Sequence, residues 1–358
     1  MNPKFGVLVS PENFIWTKHG LLTVWELQPG DKIIGLGPNR KIGTFELTEP
    51  ISSHGASELT TLDSKQITTT LSGEARVSTG DGISKLNSLQ PEDSIDLLHA
   101  ENCERLQKIC VQREESASYS GTKISPKLAY LLAKSIPMPQ ARTEYTVKIV
   151  TTGEQDQKNV NKFLDDIKST LKGRSFTKIG RIKGSGRFNK MHESELTTRT
   201  FFSSKILYKL SQEINLKQEN TLRWNRRTEF QIPTFVRNNG FDVMDAFFWS
   251  ILEVCSTGPK LIPIGTDKKD VMVRTFIKDL SWINGLRIDS ATIDKGVPMI
   301  RFRRDKWKKL ADRDENFTTL KEVGTSTGNA FVLPVPANWD PIIDSIAVRR
   351  HKINYKEE

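Results

Sequence analysis

The segment Lys172–Lys190 contains seven basic and no acidic side chains, a composition suited to contact with a polyanion. If this segment forms a strand, the alternation of side chains predicts one face with cations and one packed face with residues such as Phe176 and Ile179. A flexible, solvated loop is the alternative for a segment so rich in glycine. Its cations are Lys172, Arg174, Lys178, Arg181, Lys183, Arg187 and Lys190.

Two later clusters of basic residues could take part in the same contact, because Arg and Lys side chains bind phosphates and guanine edges in duplex DNA. Arg301 and Arg303 lie two residues apart, so a strand would direct both to one face and Phe302 to the other. We therefore expect these clusters and Lys172–Lys190 to line one concave surface. The basic residues of the two clusters are Arg223, Arg226, Arg227, Arg301 and Arg303.

The chain has 358 residues and a formal net charge of +10, which is distributed unevenly. Residues 1–120 carry 11 basic and 16 acidic side chains, a net charge of −5, whereas residues 121–358 carry a net charge of +15. This asymmetry predicts two modules, of which the basic one favours a polyanion, most often nucleic acid, as its partner. A lysine-rich surface that binds nothing stays open as the alternative.

Cysteine and histidine usage argues against a metal site or a disulfide framework. The chain has three cysteines without a Cys-x-x-Cys pair, and no histidine pairs with a cysteine at zinc-ligand spacing. No apolar run approaches the ~20 residues that span a membrane. Residues 1–20 lack a basic start followed by an apolar stretch. We expect an intracellular protein, cytoplasmic or nucleoid-associated, that is neither secreted nor bound to a membrane.

Short runs rich in Val, Ile and Thr predict an all-β module over residues 1–118. Two of its segments, His19–Ile33 and Asp81–Ile95, lie 62 residues apart and share a glycine, a strand, Leu-Gln-Pro and a turn with Asp. This similarity indicates an internal duplication, and coincidence between two hairpins is the alternative. The predicted strands are Phe5–Val9, Asn13–Trp16, Leu21–Leu27, Lys32–Leu36, Ile42–Leu47, Gln66–Leu71 and Ala75–Ser78.

Residues 119–335 alternate amphipathic helices with strands in two cycles, at about 121–215 and 232–312. The helices predicted are Lys127–Ile136, 155–171, Ser203–Ile214, Val243–Val254, Lys268–Ile283 and Arg304–Ala311. The strands predicted are Glu144–Thr151, Phe176–Ile182, Thr197–Phe202, Leu261–Ile264, Leu286–Thr292 and Val297–Phe302.

The first module resembles the Hint fold of inteins. Asn13–Gly20 and Glu26–Ile33 fit the family patterns T-x-I-x-T-x-x-G and E-L-x-x-G-D-x-V, and Ser72–Ala75 stands where the family has T-x-x-H. Splicing in that family needs a Cys, Ser or Thr nucleophile and the motif histidine as a proton donor. The matching positions here are Leu8 and Ala75, so the resemblance implies a module that does not splice.

The second module resembles the LAGLIDADG homing endonucleases, which many inteins carry inserted in the Hint fold. Leu128–Pro139 matches L-A-Y-L-L-G-x-x-x-G-D-G, and Ile232–Val236 with Phe247–Ser256 matches I-P-x-x-[IV] and F-L-x-G-L-F-x-A-D-G. The family packs its two motif helices together and binds divalent metal through an acid at the end of each. The acidic positions are Met138 and Cys255 here, and neither is a useful Mg²⁺ ligand.

The sequence thus predicts an α+β protein with an all-β Hint-like domain (1–118) and a two-repeat αββαββα LAGLIDADG-like domain (119–335). A segment at 336–358 returns to the first domain, where Asn338–Ile346 resembles W-D-x-I-x-S-I. We expect no catalytic residue, no cofactor and no metal. Because the resembled endonucleases read duplex DNA in the major groove, the leading hypothesis is a protein without catalysis that binds double-stranded DNA through a basic β-saddle, with RNA as the alternative nucleic acid. A protein-interaction component of a larger assembly, and an endonuclease with relocated Mg²⁺ ligands such as Glu253, stay open.

Overall fold

The computed structural model describes residues 5–113, 118–119, 121–136, 145–172, 174–179, 197–214, 230–255, 261–263, 268–294, 297–302 and 316–352. The chain divides into two compact units. Unit 1 comprises the described residues of Met1–Val111, Arg274–Ala291 and Asp305–Glu358, and unit 2 those of Gln112–Val273 and Thr292–Arg304. No helix in the described ranges is long and apolar enough to cross a membrane.

The strands, in chain order, are β1 (Phe5–Val9), β2 (Phe14–Thr17), β3 (Gly20–Thr23), β4 (Lys32–Leu36), β5 (Ile42–Glu46), β6 (Ser52–Ser64), β7 (Thr68–Ser72), β8 (Arg76–Thr79), β9 (Gly82–Lys85), β10 (Ser94–Asp96), β11 (Ser118–Tyr119), β12 (Thr122–Lys123), β13 (Thr146–Thr152), β14 (Arg174–Ile179), β15 (Thr197–Ser203), β16 (Leu261–Pro263), β17 (Ser290–Asp294), β18 (Val297–Arg301), β19 (Phe317–Pro334), β20 (Asp340–Ile343), β21 (Ile346–Ala347) and β22 (His351–Lys352). The α-helices are α1 (Ala100–Ile109), α2 (Pro126–Ala133), α3 (Gly153–Leu171), α4 (Lys205–Ile214), α5 (Thr234–Arg237), α6 (Phe241–Cys255) and α7 (Lys268–Ile283). Single 3₁₀ turns follow β3 and β9, at Val24–Glu26 and Leu86–Ser88. The fold is therefore mixed α+β, and its sheets are largest in unit 1.

Unit 1 is built from two antiparallel sheets. One has the strand order β22-β1-β7-β6-β19-β10-β8-β9, and the other has the order β21-β20-β2-β4-β5 with β3 paired to β2. The longest ladder joins β6 to β19, from Ser64 opposite Leu320 to Ser52 opposite Val332. Strands β19 to β22 follow unit 2 in the sequence, so both sheets of unit 1 combine residues from the two ends of the chain.

The predicted duplication is visible in two equivalent hairpins of unit 1. The β2–β3 hairpin closes at Thr17 and Gly20, and the β8–β9 hairpin closes at Thr79 and Gly82. Each threonine hydroxyl donates to the carbonyl of the glycine opposite it, at 2.9 and 3.1 Å. The two glycines have φ angles of 129° and 128°. Equivalent residues, 62 positions apart, therefore have the same geometry.

The turn after each hairpin is repeated as well. In Gln28–Asp31 and in Gln90–Asp93, the Asp amide donates to the Gln carbonyl, and the Gln amide donates to the Asp carboxylate at 2.8 Å. Proline takes the second position of both turns, as in a type II turn. The third position has a left-handed backbone in both, with φ 95° at Gly30 and 78° at Glu92.

The duplication also identifies the place in the chain where unit 2 is inserted. Ile33 of β4 lies opposite Phe45 of β5, and the equivalent Ile95 of β10 lies opposite Thr318 of β19. In the first copy, the five residues Gly37–Lys41 join the two strands. In the second copy, residues 97–316 join them. Unit 2 therefore enters the chain at the hairpin connection of the second copy.

Unit 2 contains two three-stranded sheets, with strand orders β13-β15-β14 and β16-β18-β17. The predicted motif helices α2 and α6 pack together, and Ser250 Oγ donates to the Tyr130 carbonyl at 2.8 Å where they meet. Ala129 and Ser250 are fully buried, and such small side chains allow two helices to approach closely. The hydroxyl of Ser125 accepts from the Leu128 amide and caps the start of α2.

The element order of unit 2 follows the prediction, except for the αββαββα scheme. Within the described residues, one strand separates the first two helices of each cycle, β13 in the first and β16 in the second. Residues 137–144, 256–260 and 264–267 of these connections lie outside the described ranges. The predicted helix Arg304–Ala311 also lies outside them.

The expected domain boundaries differ from the observed units at two places. The return to the first domain, expected at residue 336, occurs earlier, because Phe317–Pro334 pairs with β6 in unit 1. Residues Arg274–Ala291 also belong to unit 1. The earlier return was not predicted because β19 carries little apolar alternation and is held mainly by a long ladder of backbone hydrogen bonds to β6.

Candidate functional site

Four of the predicted nucleic-acid-binding residues lie in the described part of unit 2. Arg174 and Lys178 belong to β14, and the exposed Lys172 follows α3 with a left-handed φ of 47°. Arg301 ends β18 and is exposed, whereas Phe302 is buried, as strand alternation predicts. The residues that fall outside the described ranges are Arg181, Lys183, Arg187, Lys190, Arg223, Arg226, Arg227 and Arg303.

The sheet β13-β15-β14 brings four cations together, two of which sequence analysis did not single out. Lys178 of β14 lies directly opposite Arg199 of β15, and Arg174 lies four residues before Lys178 in the same strand. On the other side of β15, Lys148 of β13 lies opposite Phe201. The three strands contain no Asp or Glu along their described lengths. We call this sheet the basic sheet.

Alternate residues along β15, the middle strand of the basic sheet, differ in burial. Thr200 and Phe202 are fully buried, whereas Phe201 and Ser203 are partly exposed. By strand pairing, the four cations occupy the same set of alternate positions as Phe201 and Ser203. In β15 these are the positions outside the core. Phe176 lies opposite Phe201 and therefore takes the same register. The expected separation of cations from aromatic residues is wrong at Phe176, because it stands two residues from a cation on either side.

The positions that hold acids in the resembled endonucleases are not brought together within the described residues. Met138 lies outside them, since the described chain stops after Ile136. Cys255 is the last residue of α6. The two predicted positions therefore remain a sequence-based expectation.

Unit 1 holds the two positions that match the splicing residues of the Hint fold. Leu8 lies in β1 opposite Val332. Ala75 is 4% exposed, and its amide donates to the Ser72 carbonyl at 2.8 Å in the turn after β7. Neither side chain offers a nucleophile or a proton donor.

Directly after α2, Lys134 joins three helices of unit 2. Its Nζ lies 2.6 Å from Glu253 Oε2 in α6 and 3.0 Å from Asp156 Oδ2 in α3. The Lys134 side chain is 1% exposed, that of Asp156 17% and that of Glu253 40%. A buried ammonium requires such partners, because an unpaired charge in the interior is strongly unfavourable.

Tyr130 completes this group, which we call the Lys134 cluster (Tyr130, Lys134, Asp156 and Glu253). Its hydroxyl donates to Glu253 at 2.7 Å and to Asp156 at 3.1 Å. Burial raises the pKa of Tyr130, and the charges of Glu253 and Asp156 raise it further, so the hydroxyl stays a donor. The Lys134 ammonium also lies 5.0 Å from the centre of the Tyr130 ring, a cation–π contact.

The Lys134 cluster includes Glu253, the carboxylate that the sequence left open as a relocated metal ligand. A divalent cation at Glu253 would meet the Lys134 ammonium at short range, which is electrostatically unfavourable. No group of three or more His, Cys, Asp or Glu in the described ranges is arranged to hold a metal ion. Sequence reasoning missed Lys134, although a lysine within the apolar run Leu131–Ile136 is a signal of a buried ion pair.

No protein-family model and no curated protein matches the chain. Among solved structures, the chain is similar to a DnaB intein from Synechocystis sp. PCC 6803, with 16% identity and a TM-score of 0.24, over 26% of this chain and 71% of that one. It is similar to a bacterial intein-like domain from Clostridium thermocellum, with 23% identity and a TM-score of 0.22, over 26% of this chain and 66% of that one. It is also similar to I-DmoI, in a crystal structure with DNA and Mn, with 16% identity and a TM-score of 0.31, over 53% of this chain and 99% of that one.

Proposed function

We propose that unit 2 binds duplex DNA through the basic sheet, and that the chain neither cleaves DNA nor splices. The observation that carries this proposal is an acid-free sheet with four cations in the register outside the core. Such a surface attracts a polyanion over a distance, and its Lys and Arg side chains release counterions when they neutralise phosphates.

The pair Lys178 and Arg199 gives a physical reason to expect an anionic ligand. Like charges directly opposite each other on neighbouring strands destabilise a sheet. The three strands contain no acid that could offset this repulsion. A phosphate between the two side chains would replace repulsion with attraction, so DNA binding should stabilise unit 2.

The apolar part of the same register suits the major groove. Phe176 and Phe201 lie directly opposite each other between the cations. A β-ribbon fits the major groove, where apolar side chains contact thymine methyl groups while cations contact phosphates and guanine. The basic sheet thus offers both positioning and base-edge contacts.

The proposed absence of catalysis rests on the residues that the two chemistries would need. Metal-dependent cleavage needs carboxylates that are free to bind the metal, and Glu253 is ion-paired with Lys134. Met138 and Cys255 supply no carboxylate. Leu8 and Ala75 supply neither the nucleophile nor the proton donor of splicing.

A fluorescence anisotropy titration of the full chain with a labelled duplex tests the proposal. The sheet variant changes Lys148, Arg174, Lys178 and Arg199 to Gln. We expect it to bind about a hundredfold more weakly than the wild type, since several phosphate contacts are lost. The matched control variant changes four exposed lysines of unit 1 to Gln and so changes the net charge equally. These lysines are Lys32, Lys41, Lys65 and Lys108.

The comparison of the two variants separates a local site from overall charge. Binding that is unchanged in the sheet variant would remove the basic sheet as the interface. Equal weakening in both variants would mean that net charge alone drives association. No duplex binding by the wild type would leave a protein-interaction component as the function. Circular dichroism of each variant checks that the fold is retained.

A further inference from the structure

Two aspartates of unit 1 are buried without a salt bridge to any described residue. Asp279, in the unit 1 part of α7, and Asp344, in the turn between β20 and β21, are each 1% exposed. The Ser345 hydroxyl lies beside Asp279, and the Thr69 hydroxyl lies beside Asp344. Neither contact has full hydrogen-bond geometry, so Asp279 Oδ1, both carboxylate oxygens of Asp344 and the hydroxyl of the fully buried Ser345 lack a well-formed hydrogen bond to the described part of the chain. Buried polar atoms are ordinarily satisfied, so four such oxygens in one place need an explanation.

Strand β2 contacts both aspartates from one side. The Trp16 indole N–H donates to Asp279 Oδ2 at 2.8 Å. The Asp344 amide donates to the carbonyl of Phe14 at 3.2 Å. Phe14 and Trp16 stand two residues apart, so the two acids meet the same short strand.

Leu98 joins the same two elements on another side. The Trp282 indole N–H, one helical turn after Asp279, donates to the Leu98 carbonyl at 3.0 Å. The Leu98 amide donates to the carbonyl of Ser345 at 2.9 Å. Contacts through β2 and through Leu98 therefore connect α7 at Asp279 and Trp282 with the turn that holds Asp344 and Ser345.

The carboxyl groups also act on each other electrostatically. Burial raises the pKa of Asp344, and the charge of Asp279 raises it further, while the Thr69 hydroxyl opposes both effects only in part. Burial likewise raises the pKa of Asp279, and the Ser345 hydroxyl and Trp16 indole beside it only partly oppose this effect. Two ionised carboxyls in one buried place are stable only if a positive charge lies with them.

We infer that Asp279, Asp344 and Ser345 form a binding site for one hard divalent cation, of the Mg²⁺, Ca²⁺ or Mn²⁺ class. Such cations take carboxylate and hydroxyl oxygens, the groups that lack well-formed hydrogen bonds here. One divalent ion would neutralise the formal charge of the two carboxylates. The cation would tie α7 to the β20–β21 turn and stabilise unit 1, independently of the proposed DNA binding.

The turn geometry allows a conservative variant. Asp344 has a left-handed φ of 52° in a two-residue turn between Ile343 and Ile346. Asn adopts this conformation as readily as Asp, so Asp344→Asn removes one ligand charge and keeps the backbone. Asp340→Asn, at the start of β20, is the matched control, because Asp340 is paired with Arg349 and Arg350.

The experiment titrates the chelator-treated full chain with Tb³⁺, a luminescent substitute for Ca²⁺. Excitation of Trp16, which is bonded to Asp279, should sensitise saturable emission that Ca²⁺ or Mg²⁺ competes away. Asp344→Asn should weaken Tb³⁺ binding by about tenfold or more, and Asp340→Asn should leave it unchanged. Divalent cations should raise the thermal unfolding midpoint of the wild type and of Asp340→Asn, but not of Asp344→Asn.

A further variant, Trp16→Phe, locates the signal. It should reduce the sensitised emission, to which Trp282 also contributes, and preserve the cation-dependent rise of the midpoint. A wild-type midpoint that no divalent cation changes overturns the proposal. Equal Tb³⁺ binding by the wild type and Asp344→Asn overturns it as well. The proposal is also overturned if Asp344→Asn is more stable than the wild type with and without cations, while cations do not change the wild type. That result would mean that the two carboxyls share a proton.

Discussion

The ammonium of Lys134 lies 2.6 Å from the carboxylate of Glu253, although 119 positions separate the two residues in the sequence. The pair lies where α2 and α6 end. Lys134→Met would leave Asp156 and Glu253 side by side without their cation. We expect the free energy of unfolding to fall by about 3 kcal/mol in a urea titration, at the lower end of the range for buried pairs because Glu253 is 40% exposed.

Lys127→Met is the matched control for this prediction. Lys127 also pairs with an aspartate of α3, Asp166, but their side chains are 46% and 38% exposed. Water screens such a pair, so the loss should be much smaller than that of Lys134→Met. Equal losses in the two variants would contradict the buried, charge-compensating role of Lys134.

A second buried pair, Asp63 and Lys278, makes the stability of unit 1 depend on pH. The Lys278 side chain is 0% exposed and donates to Asp63 at 2.8 Å and to the Thr68 hydroxyl at 2.7 Å. Burial alone would raise the pKa of Asp63, but the charge and hydrogen bond of Lys278 outweigh it, and the pKa is lowered.

Because the pKa of Asp63 is lower in the folded than in the unfolded chain, its ionised form stabilises the fold above about pH 4. This contribution is lost as the pH falls through the folded pKa. Burial lowers the pKa of Lys278 to about 8, so both partners are charged between about pH 4 and pH 8. Asp63→Asn cannot titrate, so the stability difference from the wild type should be largest in this window and shrink below about pH 4. Urea titrations across this range measure it, and a difference independent of pH would rule the explanation out.

The sequence predicted helices well where each carries its own apolar period. The helix Lys268–Ile283 has the predicted bounds, and Val243–Val254 extends to Phe241–Cys255 in the structure. The duplication of unit 1 was also readable, because its turns depend on local Pro, Gly and Asp residues. Local signals of this kind need no knowledge of the partner element.

The same reasoning missed β6 and β19, the longest strands of unit 1. Between Glu322 and Asn329, the residues of β19 are mostly exposed Thr, Ser and Gly, so neither alternation nor an apolar run marks the strand. Its pairing with β6 joins residues more than two hundred positions apart. The Lys134 cluster was missed for the same reason, since its contacts join three separate helices.

The duplicated turn of unit 1 predicts a stabilising substitution. Glu92 has a left-handed φ of 78° at the position where the first copy has Gly30. A residue with a Cβ is strained in this conformation, and glycine is not. Glu92→Gly should raise the free energy of unfolding by about 0.5 kcal/mol, after the greater flexibility of glycine in the unfolded chain is subtracted.

The reverse change in the first copy is its control. Nothing lies within 4 Å of a Cβ added at Gly30, so Gly30→Ala tests backbone strain alone. We expect it to lower the free energy of unfolding by about 1 kcal/mol. If both substitutions shifted stability in the same direction, the two turns would not be equivalent.

The engagement of Glu253 by Lys134 predicts that the chain makes no metal-dependent double-strand breaks. A plasmid library carrying randomised sequence, incubated with the chain and Mg²⁺ or Mn²⁺, should stay uncut as judged by sequencing of free ends. Reproducible cuts that Glu253→Gln abolishes would restore the relocated-ligand hypothesis. Cuts that survive Glu253→Gln would point to a contaminant or to ligands elsewhere in the chain.

The Lys178–Arg199 pair links the affinity of the basic sheet for DNA to the stability of the free chain. If its four cations each neutralise a phosphate, log K should fall with log salt at a slope of about −4. Lys178→Gln should reduce this slope by about one and weaken binding to all sequences alike. The same substitution removes the repulsion between Lys178 and Arg199, so the free chain should become more stable by about 0.3 kcal/mol. Weaker binding together with a more stable free chain is a combination that a merely structural lysine would not produce. Anisotropy titrations over a salt series and urea titrations without DNA measure both quantities, and a loss of stability in Lys178→Gln would contradict the proposed role of the pair.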